Sequence, residues 1–207
     1  MKNILHLASS SISRRRLLEE SKIPHKIIPQ SSKEPALEGA SATEQVLHLA
    51  KDKMMFVDMT HVDKSKPAFI VTADSLVEMG HSKQIFGKPK DLEDSKYMMK
   101  AMRKEPVNGI TGCVLEKRES NGKIWQTVET ECWTSMASAE FHIPEGMEEE
   151  FIKQMPDSVK ACGSAIIEEY GQQFCKSISG SYTAFLGLPM YDLRTKLESM
   201  EFWKNHG

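Results

Sequence analysis

The sequence predicts an α/β protein with a mixed, twisted sheet flanked by helices. Short apolar runs typical of strands alternate with helical patterns, which is the order of an α/β fold. Two longer alternating segments follow, and the pair Asn121-Gly122 between them is typical of an antiparallel hairpin. With 207 residues, 40% of them hydrophobic, the chain can bury one substantial core or two small lobes, and we treat residues 1–207 as one domain.

The first elements are a strand, a turn and a helix. The apolar run at residues 4–8 predicts a buried strand, and the three serines at 9–11 predict a turn. A helix is predicted over residues 13–21, followed by a short strand at 25–29. A strand, a small-residue turn and a helix N-terminus together form a common holder of phosphate groups.

The middle of the chain predicts two more helices around a buried strand. Ser41 and Glu44 form a capping-box pattern at the start of a helix over residues 43–59. The run at 69–73 predicts the buried strand. A hairpin is predicted through Met79-Gly80-His81, and a further helix over residues 91–104.

The last part of the chain begins with two long strands. They are predicted at residues 109–117 and 123–139, joined by a turn at 120–122. A helix at 144–154 and a strand at 161–167 follow. The final helix begins at Pro189, because proline is favoured at the first helical position.

Charge and composition exclude several classes of protein. A net charge of -2, with no basic or aromatic stripe, gives no support for binding nucleic acid or a membrane surface. No apolar stretch approaches the ~20 residues of a membrane span. The four cysteines form no C-x-x-C pair, so no zinc or thiol-redox site is predicted. We therefore expect a cytoplasmic protein with no nucleic-acid or membrane partner.

Three consecutive arginines open the first helix, where a helix tolerates cations least. The unpaired N–H groups of a first turn carry roughly half a positive charge, so cations there are unfavourable unless an anion lies before them. Helical spacing gives Arg15 a partner in Glu19. Arg16 likewise faces Glu20, whereas Arg14 lies on the inward side without a partner. Arg14 is the candidate phosphate ligand, and a solvated basic cluster is the alternative.

A lysine interrupts the apolar stripe of the helix predicted over residues 43–59. Lys53 falls at helical spacing within the stripe that runs from Val46 to Val57. Two interpretations stay open. The side chain buries its stem and leaves its ammonium in water, or the ammonium reaches an anion in a cleft bounded by this helix.

Asp74 follows the strand predicted at residues 69–73. The carboxyl end of such a strand is where ligands of open α/β sheets gather. A carboxylate there can bind a divalent cation or take a proton from water, and a loop-capping Asp is the alternative. Lys88, in a Gly-Lys-Pro segment, adds a further cation. A polyphosphate and its metal would suit the combined set, which is Arg14, Glu34, Lys53, Asp74 and Lys88.

Seven short blocks occur in the order and spacing of the Maf family. They are residues 7–14 (LASSSISR), Glu34, 49–53 (LAKDK), 71–75 (VTADS), 87–89 (GKP), Thr111-Gly112 and the segment from Gly180 to Pro189. No block is specific alone, but the ordered set resembles this family over about residues 4–198. The resemblance implies an inosine triphosphatase-like fold, with two lobes around a central cleft. It also implies a nucleoside triphosphate pyrophosphatase that uses Mg²⁺ or Mn²⁺.

The resemblance also implies roles for individual residues. Its phosphate-binding positions are Ser9, Arg14, Lys53 and Lys88. Its metal-binding acids are Glu34 and Asp74, and Asp74 is also the proton acceptor. The catalytic set is therefore Glu34, Lys53, Asp74 and Lys88. Base specificity falls on Ser13, Ser75 and Glu168.

The chain departs from the family pattern near the base. Ile12 and Ser13 stand where a Pro and then an Arg or Trp are usual, which removes a base-contacting side chain. Thr72 replaces a common Gly, and Val107 lies near the place of a frequent His. None of these departures removes a cation or an acid from the predicted centre.

Glu168 bears on the choice of base. Residues 161–171 resemble the 7-methyl-GTP branch of the family, which has Glu where the dTTP/UTP branch has Gln. A carboxylate pairs with the adjacent N–H donors of guanine, whereas uracil and thymine require a group that both donates and accepts. We expect a guanine-type triphosphate as substrate. The alternatives are a pyrimidine triphosphate, or a nucleotide-binding regulator without turnover, and a homodimer is compatible with either activity.

Overall fold

The computed structural model describes residues 3–205 as an α/β fold built on one seven-stranded mixed sheet. Its strands are β1 (Leu5–Leu7), β2 (His25–Ile27), β3 (Ala68–Met79), β4 (Ile85–Phe86), β5 (Val107–Ser120), β6 (Trp125–Phe141) and β7 (Cys175–Gly180). The spatial order is β2-β1-β3-β5-β6-β7, and β4 pairs with β3. Strands β2, β1 and β3 are parallel, and the remaining pairs are antiparallel. The mixed α/β prediction is confirmed.

Helices flank this sheet. They are α1 (Ile12–Glu20), α2 (Ala42–Met55), α3 (Leu92–Met102), α4 (Glu148–Gln154), α5 (Tyr182–Phe185) and α6 (Met190–Ser199). The capping box predicted at Ser41 and Glu44 is present at the start of α2. In the described part of the chain no helix has the length and apolar character that crossing a bilayer requires.

The two largest clusters of buried side chains form the cores of two lobes. The first joins β1, β3, α1 and α6, with Leu5, Leu18, Phe69, Leu193 and Phe202 among its fully buried members. The second joins the far half of β3 to α3, β6 and α4, and it includes Met79, Met99, Val107, Phe141 and Phe151. Leu186 packs against both clusters, so the two lobes meet beside it.

Strand β3 is longer than predicted, and this changes the position of Asp74. The strand continues through Asp74 to Met79, because β5 pairs with it along its whole length. The last parallel pair with β1 is Leu7 with Val71. Asp74 therefore lies in mid-strand, three residues past the end of the parallel ladder, and the prediction that it ends its strand is wrong. It still occupies the open region beyond the carboxyl end of β1.

The strand predicted at residues 161–167 is also wrong. The segment forms tight turns, with Gly163 at φ +65° and Ser164 at φ +56°, a left-handed pair that a strand does not contain. The Gly163 N–H donates to the Gly87 carbonyl at 2.8 Å, and Ile167 fills the second core. The apolar residues of this segment pack in the core and do not form the hydrogen-bond ladder of a strand. Strand β7 was not predicted, because its residues are mostly exposed and lack a strong alternating pattern.

Gly112 on β5 lets α2 approach the sheet directly. A Cβ at this position would lie 2.6 Å from the Val46 carbonyl carbon and 2.7 Å from the Leu47 nitrogen, both backbone atoms of α2. We expect Gly112→Ala to lower the free energy of unfolding by ~1–3 kcal/mol, because the helix must shift. Urea unfolding measures this. Gly87→Ala, whose added Cβ would be 3.9 Å from Leu76, is the control, and an equal loss in both variants would contradict the close-approach account.

Candidate active site

A cleft of about 750 Å³ is lined by every residue to which the sequence assigned a phosphate, metal or base contact. Its walls include Ser9, Ser13, Arg14, Glu34, Lys53, Asp74, Ser75, Lys88 and Glu168. These residues come from the turn before α1, helix α1 itself, the loop before α2, helix α2, strand β3 and two later loops. The fold thus brings together cations and acids that lie far apart in sequence.

Arg14 is buried at one end of this cleft and is held by four hydrogen bonds. Its side chain donates to the Gly187 carbonyl at 2.7 Å and to the Ala73 carbonyl at 2.8 Å. It also donates to the hydroxyls of Ser75 at 3.0 Å and Ser9 at 3.1 Å. All four acceptors are neutral, and no carboxylate pairs with Arg14 within residues 3–205. A buried cation without an acidic partner favours binding of an anion.

A chain of hydroxyl groups extends from Arg14. The Thr111 hydroxyl donates its only proton to the Ala184 carbonyl at 2.8 Å. Ser75 must therefore donate in its 2.7 Å contact with Thr111, and it accepts from Arg14. The Ser75 hydroxyl therefore has no proton left to donate to a nucleobase. This geometry favours Ser75 and Thr111 as supports of Arg14, and Thr111 is a residue to which the sequence assigned no individual role.

The other arginines of α1 behave differently. Arg16 pairs with Glu20 at 2.8 Å, as helical spacing predicts, and also with Glu169 at 3.0 Å. Arg15 and Glu19 form no ion pair in the described part of the chain, so that predicted pair is wrong. Both side chains are exposed, where an ion pair contributes little.

Lys53 joins two of the acids that line the cleft, Glu34 and Asp74. Its ammonium contacts the Asp74 carboxylate and lies 3.2 Å from the Glu34 carboxylate. Only 9% of the Lys53 side chain is exposed, so the interpretation that its ammonium extends into water is wrong. The ammonium has three N–H donors, and the hydrogen bond to Asp74 uses one of them.

Lys88 supplies a cation on the loop after β4. It is exposed, lines the cleft, and has no ion-pair partner among residues 3–205. The Gly87 carbonyl accepts from the Gly163 N–H, which ties this loop to the turn at Cys162–Ser164. Unlike the buried Arg14, the exposed Lys88 side chain is free to follow a ligand.

The same turn carries a thiol that faces β3. Cys162 donates to the Ser75 carbonyl at 2.8 Å. Burial raises the pKa of its thiol to about 11, so the thiol stays protonated.

The acids of the cleft provide a partial metal site. The described residues contain no group of three or more His, Cys, Asp or Glu side chains placed to hold a metal ion. Glu34 and Asp74 are the two carboxylates beside Lys53. Mg²⁺ is commonly held by one or two carboxylates together with substrate phosphates and water. The donor set therefore fits a metal ion that arrives with a phosphate ligand.

Glu168 also lines the cleft, on the segment after Ile167. Its side chain is 18% exposed and 3.9 Å from the Arg16 guanidinium. Burial raises the pKa of Glu168 above its usual range, and the charge of Arg16 opposes that rise. Ser13, on the first turn of α1, lines the same cleft but presents only a small hydroxyl. A planar ligand here would meet a carboxylate and no aromatic ring from position 13.

The fold and this cleft define an α/β protein whose cleft holds a buried arginine and two carboxylates joined by a lysine. The family model described as Maf-like protein matches residues 4–200, and the chain belongs to the Maf family, as the ordered blocks indicated. It is 33% identical over 204 residues to a dTTP/UTP pyrophosphatase of Ruminiclostridium cellulolyticum, with 97% of each chain covered. It is 28% identical over 187 residues to a dTTP/UTP pyrophosphatase of Geobacter sp., with 90% of each chain covered. A nucleoside triphosphate pyrophosphatase of Rickettsia typhi is 28% identical over 202 residues, which are 95% of this chain and 82% of that relative.

Proposed function

We propose that this protein is a nucleoside triphosphate pyrophosphatase, which hydrolyses its substrate to a monophosphate and pyrophosphate. The observation that carries the proposal is the arrangement around Lys53, which contacts Glu34 and Asp74 in the same cleft as Arg14, a buried cation without a carboxylate partner among residues 3–205. A pure nucleotide-binding protein has no need of an acid that activates water. Membership of a family whose relatives carry pyrophosphatase names supports the same proposal.

Each charged residue has a proposed role in the reaction. Arg14, held rigidly by neutral oxygens, binds a phosphate group, and Ser9 keeps the guanidinium in place. Lys53 and Lys88 neutralise the charge that develops on the departing pyrophosphate. Asp74 orients the attacking water and accepts its proton.

The metal has a proposed place beside the two acids. Glu34 and Asp74 would hold a divalent cation, Mg²⁺ or Mn²⁺, together with oxygens of the substrate. When bound, such an ion polarises phosphoryl oxygens and offsets their negative charge. Lys53 holds the two carboxylates in position until the substrate enters.

The base is proposed to be of the guanine type. The carboxylate of Glu168 can accept two N–H donors of a guanine edge, which a pyrimidine does not offer in that arrangement. The names of the relatives from Ruminiclostridium and Geobacter support the second candidate, a dTTP- or UTP-type substrate. A 7-methyl-GTP substrate would lack a stacking ring at Ser13, which favours unmodified guanine over the methylated base.

Pyrophosphate release measured over a panel of nucleotides tests the proposed activity. The panel contains GTP, 7-methyl-GTP, ITP, dTTP and UTP, each with Mg²⁺ and with Mn²⁺. We expect equal amounts of monophosphate and pyrophosphate, and the highest kcat/KM with a guanine-type base. Binding of several nucleotides without turnover of any would favour the regulator instead. Higher kcat/KM with dTTP or UTP would favour the pyrimidine candidate.

Glu168→Gln is expected to move base preference toward pyrimidines. The amide both donates and accepts, so the kcat/KM ratio of GTP to UTP should fall by about tenfold or more, as expected for one exchanged hydrogen-bond partner. Competition assays with both nucleotides measure this ratio. Glu169→Gln changes the same charge on an exposed side chain and serves as the control. An unchanged kcat/KM ratio of GTP to UTP in Glu168→Gln would show that Glu168 does not select the base.

A further inference from the structure

We infer that Ser32 and Asp52 are positioning residues that hold the loop of Glu34 against helix α2, and thereby set the place of the Glu34 carboxylate in the cleft. The inference deepens the proposed function and depends on it for its kinetic consequence. Ser32 and Asp52 lie outside the set of residues given roles above.

The contact between the two residues is partly buried and has a defined direction. Asp52 is only 7% exposed, and the Ser32 hydroxyl donates to its carboxylate. The same hydroxyl oxygen accepts the backbone N–H of Glu34 at 2.9 Å. Asp52 therefore fixes the direction of the Ser32 hydroxyl, which in turn presents a lone pair to Glu34.

Asp52 has no other function visible in its surroundings. It forms no ion pair in the described part of the chain, and the Ser32 hydroxyl is its one hydrogen-bond donor among the side chains there. A buried carboxylate is unfavourable unless its partners compensate. An apolar residue of similar size would pack equally well at position 52. We therefore attribute the carboxylate of Asp52 to its contact with Ser32.

The loop needs such an anchor because Glu34 has an unfavourable backbone conformation. Its φ is +52°, in the left-handed region that side-chain-bearing residues rarely adopt. Such a residue persists only where its surroundings hold it. Upstream, Ser31 donates to the Phe56 carbonyl at 3.1 Å, and Gln30 forms a bridge with Val57. The Ser32 contact with Asp52 extends this attachment to within two residues of Glu34.

Adjacent residues of α2 then hold both ends of Glu34. Asp52 holds its backbone N–H through Ser32, and Lys53 holds its carboxylate at 3.2 Å. The Glu34 side chain is 48% exposed, so packing alone does not fix it. Loss of the backbone anchor should leave the loop attached upstream but let the carboxylate move relative to Asp74.

Amide hydrogen exchange tests the anchor independently of turnover. In Ser32→Ala, we expect the Glu34 amide to exchange at least about tenfold faster, while amides in β3 keep their protection. Ser32→Thr should restore slow exchange, because it keeps the hydroxyl. Ser65→Ala removes a similar hydroxyl contact, with Asp63, in an exposed loop and is the control. Unchanged exchange at Glu34 in Ser32→Ala would overturn the inference.

Kinetics test the consequence for catalysis. We expect Ser32→Ala and Asp52→Leu to lower kcat about tenfold and raise the Mn²⁺ concentration for half-maximal activity, with KM changed less than about threefold. Combining Ser32→Ala with Glu34→Gln should add little to the loss in Glu34→Gln alone, because both act through one carboxylate. Full additivity, or loss of kcat without a change in metal dependence, would contradict the inference. Absence of turnover in the unmodified protein would refute the proposed function instead, and the exchange experiment would still decide the anchor.

Discussion

Asp74→Asn is expected to lower kcat by at least ~10²-fold, because an amide cannot accept the proton of the attacking water. Asp74 contacts Lys53 within the cleft and lies on the rigid central strand β3, so substitution by its isostere should leave the backbone unchanged. Nucleotide affinity should stay within about threefold, because the cations Arg14, Lys53 and Lys88 remain. Single-turnover kinetics and calorimetric titration separate the two effects.

The control for Asp74→Asn is Asp63→Asn. Asp63 is an exposed acid in a loop outside the cleft. Its substitution changes the net charge by the same amount as Asp74→Asn but leaves the cleft unaltered. Equal turnover in Asp74→Asn and the unmodified protein would exclude Asp74 as proton acceptor. Loss of affinity in proportion to the loss of kcat would show instead that Asp74 acts mainly in binding.

Arg14→Ala is expected to weaken nucleotide binding and turnover together, each by about ten- to a hundredfold. The estimate follows from the loss of one charge-assisted phosphate contact, worth ~1.5–3 kcal/mol. The substitution also leaves the carbonyls of Ala73 and Gly187 without their donor, so the free energy of unfolding should fall by ~1–3 kcal/mol. Calorimetric titration and urea unfolding measure the two losses.

Two variants make the result for Arg14 specific. Arg14→Lys keeps the charge but loses the planar fork that reaches several oxygens at once, so it should recover only part of the affinity. Arg15→Ala removes the next cation of the same helix, which is exposed, and should bind normally. Full nucleotide affinity in Arg14→Ala would show that the phosphate does not bind at the N-terminus of α1.

Local patterns of the sequence drew attention to two residues of the cleft but left an alternative open for each. Arg14 stood out as an unfavourable charge at a helix start, and Lys53 as a charge on an apolar stripe. Both arguments need only the spacing along one helix. The structure brings both residues to one cleft with Glu34 and Asp74.

Other parts depend on contacts between distant segments and were not predictable from spacing. The length of β3 is set by its pairing with β5, which no local pattern around Asp74 reveals. The segment 161–167 has strand-like composition but packs as turns against β3. Thr111 and Ser32 are ordinary hydroxyl residues in sequence, and their importance comes from partners many residues away.

We propose that five charged side chains surround one triphosphate. A crystal structure of the protein with an α,β-methylene nucleoside triphosphate and Mn²⁺ is the decisive experiment, because that analogue cannot be cleaved between its α and β phosphates. We expect phosphate oxygens in contact with Arg14, Lys53 and Lys88, and the metal bound by Glu34 and Asp74. A triphosphate bound away from Arg14, or a metal without contact to either acid, would refute this arrangement.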